Sequence, residues 1–295
     1  MIGRMISVQQ GAFIKGMNMH EKIVLASELE LNIKRRGGNV GLKMDITQAY
    51  DSLSWKFLFE VLRRFGFSVG IQWLKKIFES ARISVLVNAG PCGFFGVGRG
   101  LIQGDPLSPI MFVLAEEVLS RNISKLVQMG KIQTMVNRGG CQPIHLMFAD
   151  DIFIFCSGHK RTLENLIELL YKYQISSGQV VNKANNKCFV GGVSTARQKN
   201  IAEQMQMELS HFTDKYLGVI LNQGRAKSHQ VWGIVEMMHK IMPIYNMSVY
   251  KWPKSVIQVC ERIIRNFLWS GDPSVNKLVT VKWDEVNSPV EERGL

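Results

Sequence analysis

Residues 145–156 read HLMFADDIFIFC, an acidic pair, Asp150 and Asp151, between two apolar runs. Successive residues of a strand face opposite sides of a sheet, and a tight turn joining two strands brings both carboxylates to one end. That is how a metal site on a hairpin is laid out. Taken alone, an Asp-Asp pair marks a solvated turn more often than a site. Here both flanks are apolar, and carboxylates set into buried sheet are costly unless a cation or another partner offsets them. Working outward, a third acid, Asp45, follows an apolar lead-in within GLKMDITQAYD, residues 41–51. Three carboxylates meeting at neighbouring strand ends would hold two Mg²⁺ ions about 4 Å apart, the arrangement of in-line phosphoryl transfer. The expected chemistry is nucleotidyl transfer.

The rest of the composition narrows the partners. A chain of 295 residues, 46% hydrophobic, can bury one large core or two smaller ones. No apolar stretch reaches the roughly 18 residues that span a bilayer. The start, MIGRMISVQQGAFIKG, lacks the continuous apolar core of a signal peptide. The expectation is a soluble, intracellular protein with no membrane partner. Thirty-six Lys and Arg against 24 Asp and Glu give a formal charge of +12, which attracts polyanions. The cations cluster locally in LNIKRRGGN (31–39) and KKIFESAR (75–82) but form no long tract, so charge alone points only to a phosphate-bearing ligand. Five widely spaced cysteines indicate neither a disulfide framework nor a zinc ribbon, and the Cys156–His159 spacing has no second ligand pair to complete it.

Pattern and punctuation predict an α+β order. Helices are expected over 20–34, 53–65, 71–80, about 107–128 with Pro106 in its first turn, and 161–176. A strand is expected over 40–46, at whose end Asp45 stands. Residues 82–97 should form a hairpin turning at Ala89-Gly90-Pro91, and the acidic pair should sit on a later hairpin. Helices then pack on one face of an antiparallel sheet. Before the long helix, GRGLIQGDPLSPIMF (98–112) combines glycines and prolines with a helix start, where backbone amides can meet a phosphate.

With Asp45, this loop and the Asp pair in chain order, the sequence resembles the reverse transcriptase of a LINE-type, non-LTR retrotransposon, of the sort abundant in plant genomes. LKMDITQAYDSLSW (42–55) resembles motif A of that family, GLIQGDPLSP (100–109) motif B, and FADD (148–151) motif C. SGQVVN (177–182) resembles the start of motif D, YLGVIL (216–221) the primer-grip hairpin of motif E, and QQGAFIKG (9–16) the fingers segment before motif A. MSVYKWP (247–253) and RIIRNFLWSGD (262–272) resemble the thumb and its C-terminal connection.

The resemblance implies a right-hand polymerase palm with partial fingers over 1–222 and a truncated helical thumb with the start of a connection region over 223–295. It assigns metal binding and catalysis to Asp45, Asp150 and Asp151, with Mg²⁺ as two ions and Mn²⁺ as a substitute. Tyr50 would lie beneath the incoming sugar; ordinary core packing is the competing role. Gln103, Gly104, Asp105 and Pro106 would contact template and nucleotide, and Tyr216, Leu217 and Gly218 would form the primer grip. The implied partners are an RNA template, a DNA primer and deoxynucleoside triphosphates. The family's site of action is the nucleus, and oligomeric state is left open.

The departures from the family pattern are specific. Gly16-Met17 and Ile102 stand where the family has an arginine second and an arginine, and Asn185-Asn186 stands where it has Lys-Ser, with Lys183 or Lys187 as possible substitutes out of register. Relative to that pattern, the chain lacks the first fingers strands, a thumb stretch near 239–245 and the end of the connection. The alternative reading is a catalytically inactive truncated remnant that at most binds nucleic acid. A palm kept as a scaffold for a protein partner is a third.

Overall fold

Val40, Leu42 and Met44 alternate with Gly41 and Lys43 along β1 (Asn39–Met44), which gives that strand one wholly apolar face. In the computed structural model, β1 is the centre of a five-stranded sheet ordered β5 (His145–Phe148), β6 (Asp151–Ser157), β1, β8 (Lys187–Val190), β9 (Glu208–Leu209). The structure describes residues 2–14, 16, 19–33, 38–67, 70–135, 143–182, 185–210, 215–221, 252–270 and 274. All pairs in this sheet are antiparallel except β8 with β9.

The apolar face of β1 joins Ile152, Ile154 and Cys156 of β6 and Cys188 and Val190 of β8 in one core. Four helices close over it: α3 (Trp55–Arg64), α5 (Ser108–Gln128), α6 (Lys160–Ser177) and α7 (Thr195–Met205). Burying such an apolar stripe is what stabilises these helices in water. The other face is aromatic. Phe155 and Phe189 both pair in register with Gly41, and Phe153 stands 4.2 Å from Phe155 and 5.9 Å from Phe189 between ring centroids. A side chain at Gly41 would bring its Cβ within 2.5 Å of Ile33 in α1 (Met19–Ile33). The helix-backed antiparallel sheet expected from the sequence therefore forms, with α1 added on its second face.

Several local expectations change. A short helix α2 (Ala49–Ser52) precedes α3, begun by Gln48 in the left-handed region at φ 45°. Helix α4 (Gly70–Ser80) leads into the hairpin of β3 (Arg82–Val87) and β4 (Gly90–Gly96). That hairpin turns at Asn88-Ala89, both at positive φ, rather than at Ala89-Gly90-Pro91; two such residues match the right-handed twist of the strands. Pro106 lies outside α5, and Pro109 occupies the first turn instead. Before the helix, Asp105 ties the loop to its first residue, its Oδ2 accepting from the backbone N–H and the hydroxyl of Ser108 at 3.0 and 2.9 Å.

The chain forms two compact units, Met1–Leu217 and Gly218–Leu295. In the second, α8 (Lys254–Ser270) carries its own apolar cluster of Trp252, Val256, Cys260 and Ile263. Residues 223–251, most of 271–295, Lys34–Arg36, Met17 and Lys183 lie outside the described residues, and so do the readings placed on them. Among the described residues, no helix is long and apolar enough to cross a membrane. Cys92, Cys156, Cys188 and Cys260 are free thiols.

Candidate active site

The sheet delivers the three carboxylates to one end. Met44 of β1 pairs with Ile152 of β6, so one step further the register sets Asp45 opposite Asp151, with Asp150 in the adjoining turn. Ala149 makes that turn at φ 52°. All three acids are partly buried. Burial and, second, Asp150 push the Asp151 carboxyl up to about 6, while Lys43 pulls the other way. Asp150 is raised by burial and by Asp45. Mutual repulsion of this kind is the cost that a bound cation removes. Among the described residues, no three His, Cys, Asp or Glu side chains close around one ion-sized point. The acids therefore share a strand end and a field, and their hard oxygen donors suit Mg²⁺ or Mn²⁺.

Two sets of amides hold this end in place, and neither was anticipated from the sequence. Asn182 and Asn185 each donate a side-chain N–H to Asp45 Oδ2, at 3.3 and 3.1 Å. The Asp45 backbone N–H donates to Asn186 Oδ1 at 3.0 Å, and its carbonyl accepts from the Asn182 N–H at 2.8 Å. One loop thus clasps Asp45 from both backbone and side chain. On the other side, buried Gln10 accepts at Oε1 from the backbone N–H groups of Gly11, Ala12 and Ala149, at 3.0 to 3.1 Å. The last of these fixes the turn that carries Asp150. The amide-rich strings QQG and NKANNK were the available signal.

Tyr50 packs and faces the acids at once. Its ring stacks on Phe112 at 4.6 Å and 10°, and burial, then the charge of Asp150, raises its hydroxyl pKa. The turn bearing Tyr50 is tied to the segment before α5. Leu101 N–H donates to Tyr50 O at 2.8 Å, Gly100 N–H to Leu53 O at 2.8 Å, and Trp55 Nε1 to Gly100 O at 2.6 Å. Gly100 has φ +81°, and a Cβ there would lie 2.6 Å from Asp51 O.

Gln103 and Asp105 line a separate cavity of roughly 610 Å³, with Asp51, Trp55, Ile77, Ile83 and Arg99 among its walls. Gly104 sits at φ +90° with open space where a side chain would be, so a ligand backbone can approach it. Asp105 is committed to its two hydrogen bonds with Ser108. Pro106 sets the bend before it. Of the expected grip residues, Tyr216 in β10 (Lys215–Tyr216) is fully buried, its ring 5.8 Å from Phe153. It is a core side chain in the sheet's aromatic layer. Leu217 and Gly218 take positive φ, 50° and 78°, and Gly218 is exposed.

Comparison with known proteins fits this arrangement. A family model described as reverse transcriptase (RNA-dependent DNA polymerase) matches residues 2–221. A Pol polyprotein from the type-2 retrotransposable element R2DM of Drosophila melanogaster is 27% identical over 151 residues, 51% of this chain and 13% of that protein. An R2 Pol polyprotein of Nasonia vitripennis is 22% identical over 230 residues, 74% of this chain and 22% of that protein. An uncharacterized mitochondrial protein of Arabidopsis thaliana is 40% identical over 67 residues, 22% of this chain and 55% of that one. The chain thus spans only part of the length of each of these relatives. Among solved structures, telomerase from Candida albicans in complex with a telomeric RNA fragment aligns at TM-score 0.54 and 14% identity, over 88% of this chain and 44% of that one. A Candida tropicalis telomerase complex aligns at 0.51 and 13%, over 89% and 43%. At that identity the likeness concerns the fold alone. The family match takes in the strand end with its three acids, the loop before α5 and the amide clasp, and the chain belongs to the reverse transcriptase (RNA-dependent DNA polymerase) family.

Proposed function

We propose that the chain is the palm-bearing part of an RNA-directed DNA polymerase that extends a primer 3′-hydroxyl on an RNA template with deoxynucleoside triphosphates. The observation that carries the reading is the shared strand end of Asp45, Asp150 and Asp151, coupled in charge and clamped by amides on both sides. In the reaction, the 3′-oxygen forms a bond to the α-phosphorus, the bond to the β-phosphate oxygen breaks, and pyrophosphate leaves. Two Mg²⁺ ions, with Mn²⁺ as a substitute, would supply activation of the hydroxyl and neutralisation of the leaving group. Asp45, Asp150 and Asp151 would hold them.

The chain's own residues then position the reactants. The clasp leaves one carboxylate oxygen of Asp45, Oδ1, outside its hydrogen bonds to Asn182 and Asn185. Tyr50, flat against Phe112, presents a wall to the sugar of the incoming nucleotide. Gln103 and Gly104 contact template and nucleotide. Lys187 pairs in register with Lys43 beside the acids and provides the cation that the family pattern places two residues earlier. We assign residues 1–222 to fingers and palm and 223–295 to the thumb and connection, and we infer a LINE-type, non-LTR element of plant lineage. The R2 and Arabidopsis similarities support that inference. The protein's workplace in this reading is the nucleus.

A second reading, a palm that binds nucleic acid without polymerising, is favoured by one observation. Neutral Asn185 and Asn186 occupy the places of the expected lysine and serine and are spent on Asp45. Primer extension on an RNA template with Mg²⁺ or Mn²⁺, beside an Asp150→Ala control, separates the two. Extension that the control lacks supports the polymerase; folded protein that binds primer-template without extending it supports the second reading.

A further inference from the structure

Behind the Tyr50 turn, three buried polar side chains from three elements form one chain of contacts. Tyr173 Oη of α6 lies 2.8 Å from Glu116 Oε1 of α5 and 2.6 Å from Gln179 Oε1, and Gln179 Nε2 donates to Ala49 O at 3.3 Å. Glu116, Tyr173 and Gln179 are all at most 5% exposed. The directions follow from the amide orientation in which Gln179 Nε2 meets the Ala49 carbonyl. With Gln179 Nε2 on the Ala49 carbonyl, its Oε1 can only accept, so the single hydroxyl proton of Tyr173 goes there. Reversing the amide would set two carbonyl oxygens against each other at Ala49. The remaining contact, between Tyr173 Oη and Glu116 Oε1, therefore needs a proton carried by Glu116. No described residue partners Glu116 Oε2, which an ionised carboxylate in this interior would need.

We propose that a neutral Glu116 anchors a proton-ordered chain, from Glu116 to Tyr173 to Gln179 to the Ala49 carbonyl, that sets the position of Tyr50 and with it sugar selection at the nucleotide site. The link from Ala49 to Tyr50 is one peptide bond, at the start of a four-residue helix whose first residue is already set by the left-handed Gln48. Tyr50 is held from the other side by its carbonyl on Leu101 and its ring on Phe112. Gln179 supplies the third restraint and is a positioning residue. The sugar-selection clause rests on the polymerase reading; the restraint on Tyr50 does not.

The test uses the full chain. Infrared spectra of the protein and of Glu116→Gln at pH 6 should differ by one protonated-carboxyl band that moves in heavy water and is missing in the variant. With 3-fluorotyrosine incorporated and the Tyr50 resonance assigned through Tyr50→Phe, Gln179→Leu should shift that resonance, and Glu116→Gln, which keeps a donor to Tyr173, should not. Tyr173→Phe, which lacks the linking hydroxyl, should act like Gln179→Leu and serves if the latter does not fold. In primer extension, the preference in kcat/KM for deoxy- over ribonucleotides should fall about three- to tenfold in both linking variants, the value of one net hydrogen bond. Absence of the carboxyl band, or an unmoved Tyr50 resonance in folded linking variants, overturns the proposal. A wild-type chain that does not polymerise refutes the earlier reading, while the infrared and fluorine results still decide this one.

Discussion

Replacing Glu116 by glutamine should leave stability unchanged near pH 4 and raise it at pH 8. Burial is the main cause that pushes this carboxyl from 4.5 up to about 7, opposed by the hydrogen bonds that Tyr173 and Gln179 would turn toward its ionised form and assisted by the more distant Asp150. A native state that binds the proton more tightly than the unfolded chain is fully favoured below pH 4.5. That advantage is lost as pH rises from 4.5 to about 7, and the loss persists above it. A rise of about 2.5 in pKa corresponds to roughly 3 kcal/mol, an order-of-magnitude figure. Glutamine keeps the shape and a donor toward Tyr173 without an ionisation, so the variant should escape the loss. Urea unfolding followed by circular dichroism at half-unit pH steps gives both curves. Their difference, variant minus wild type, cancels Asp151 and His145, which titrate in both. It should grow from near zero at pH 4 to roughly 3 kcal/mol at pH 8. A difference that does not change with pH would refute the reasoning, because Glu116 would then have the same proton affinity folded and unfolded.

Gly100→Ala should lower unfolding free energy by about 2–5 kcal/mol, since the left-handed backbone and a Cβ placed 2.6 Å from Asp51 O both act against it; wild-type urea stability would show that the turn can yield. Removing the clasp with Asn182→Ala and Asn185→Ala together should weaken Mn²⁺ binding, read by electron paramagnetic resonance, by about 10- to 100-fold. Unchanged affinity would mean that Asp45 does not depend on those amides. Ile102 is 50% exposed beside the cavity of Gln103, so Ile102→Arg should tighten RNA binding and steepen its log–log salt slope by about 0.7 if the new cation meets a single-stranded phosphate. A slope equal to wild type would place position 102 away from the RNA.

What the sequence made legible was periodicity and motif order. The alternation around Asp45 and the acidic pair predicted two strands ending in acids, and β1 and β6 meet in that register. The long helix before the pair, its loop and the hairpin ahead of it were placed within a residue or two. What it did not reveal depends on contacts between distant segments. Asn182 and Gln10 lie in SGQVVN and QQGAFIKG, motif-like strings that do not name their partners, and the fold brings their amides to Asp45 and Ala149 across 137 and 139 positions. Tyr216 was expected at the primer grip from the short YLG motif, and its burial against Phe153, in a strand far away, was not legible from that motif. Pro106 and Pro109 are equally good first-turn residues locally, and the start of the helix at Ser108 puts the second in its first turn.

The central strand has a consequence for how the molecule is made. β1 lies between β6 and β8, whose residues emerge more than a hundred positions later, and the hydrogen bond from Asp45 to Asn186 spans 141. During synthesis at the ribosome, β1 must therefore wait with both edges open until β6 has emerged, and with one edge open until the chain has passed Val190. Contacts this remote slow folding and leave such strands available to the wrong neighbours. The catalytic end closes only once Asn186 has emerged, so a nascent or prematurely ended chain would expose a sticky strand well before it could hold an ion.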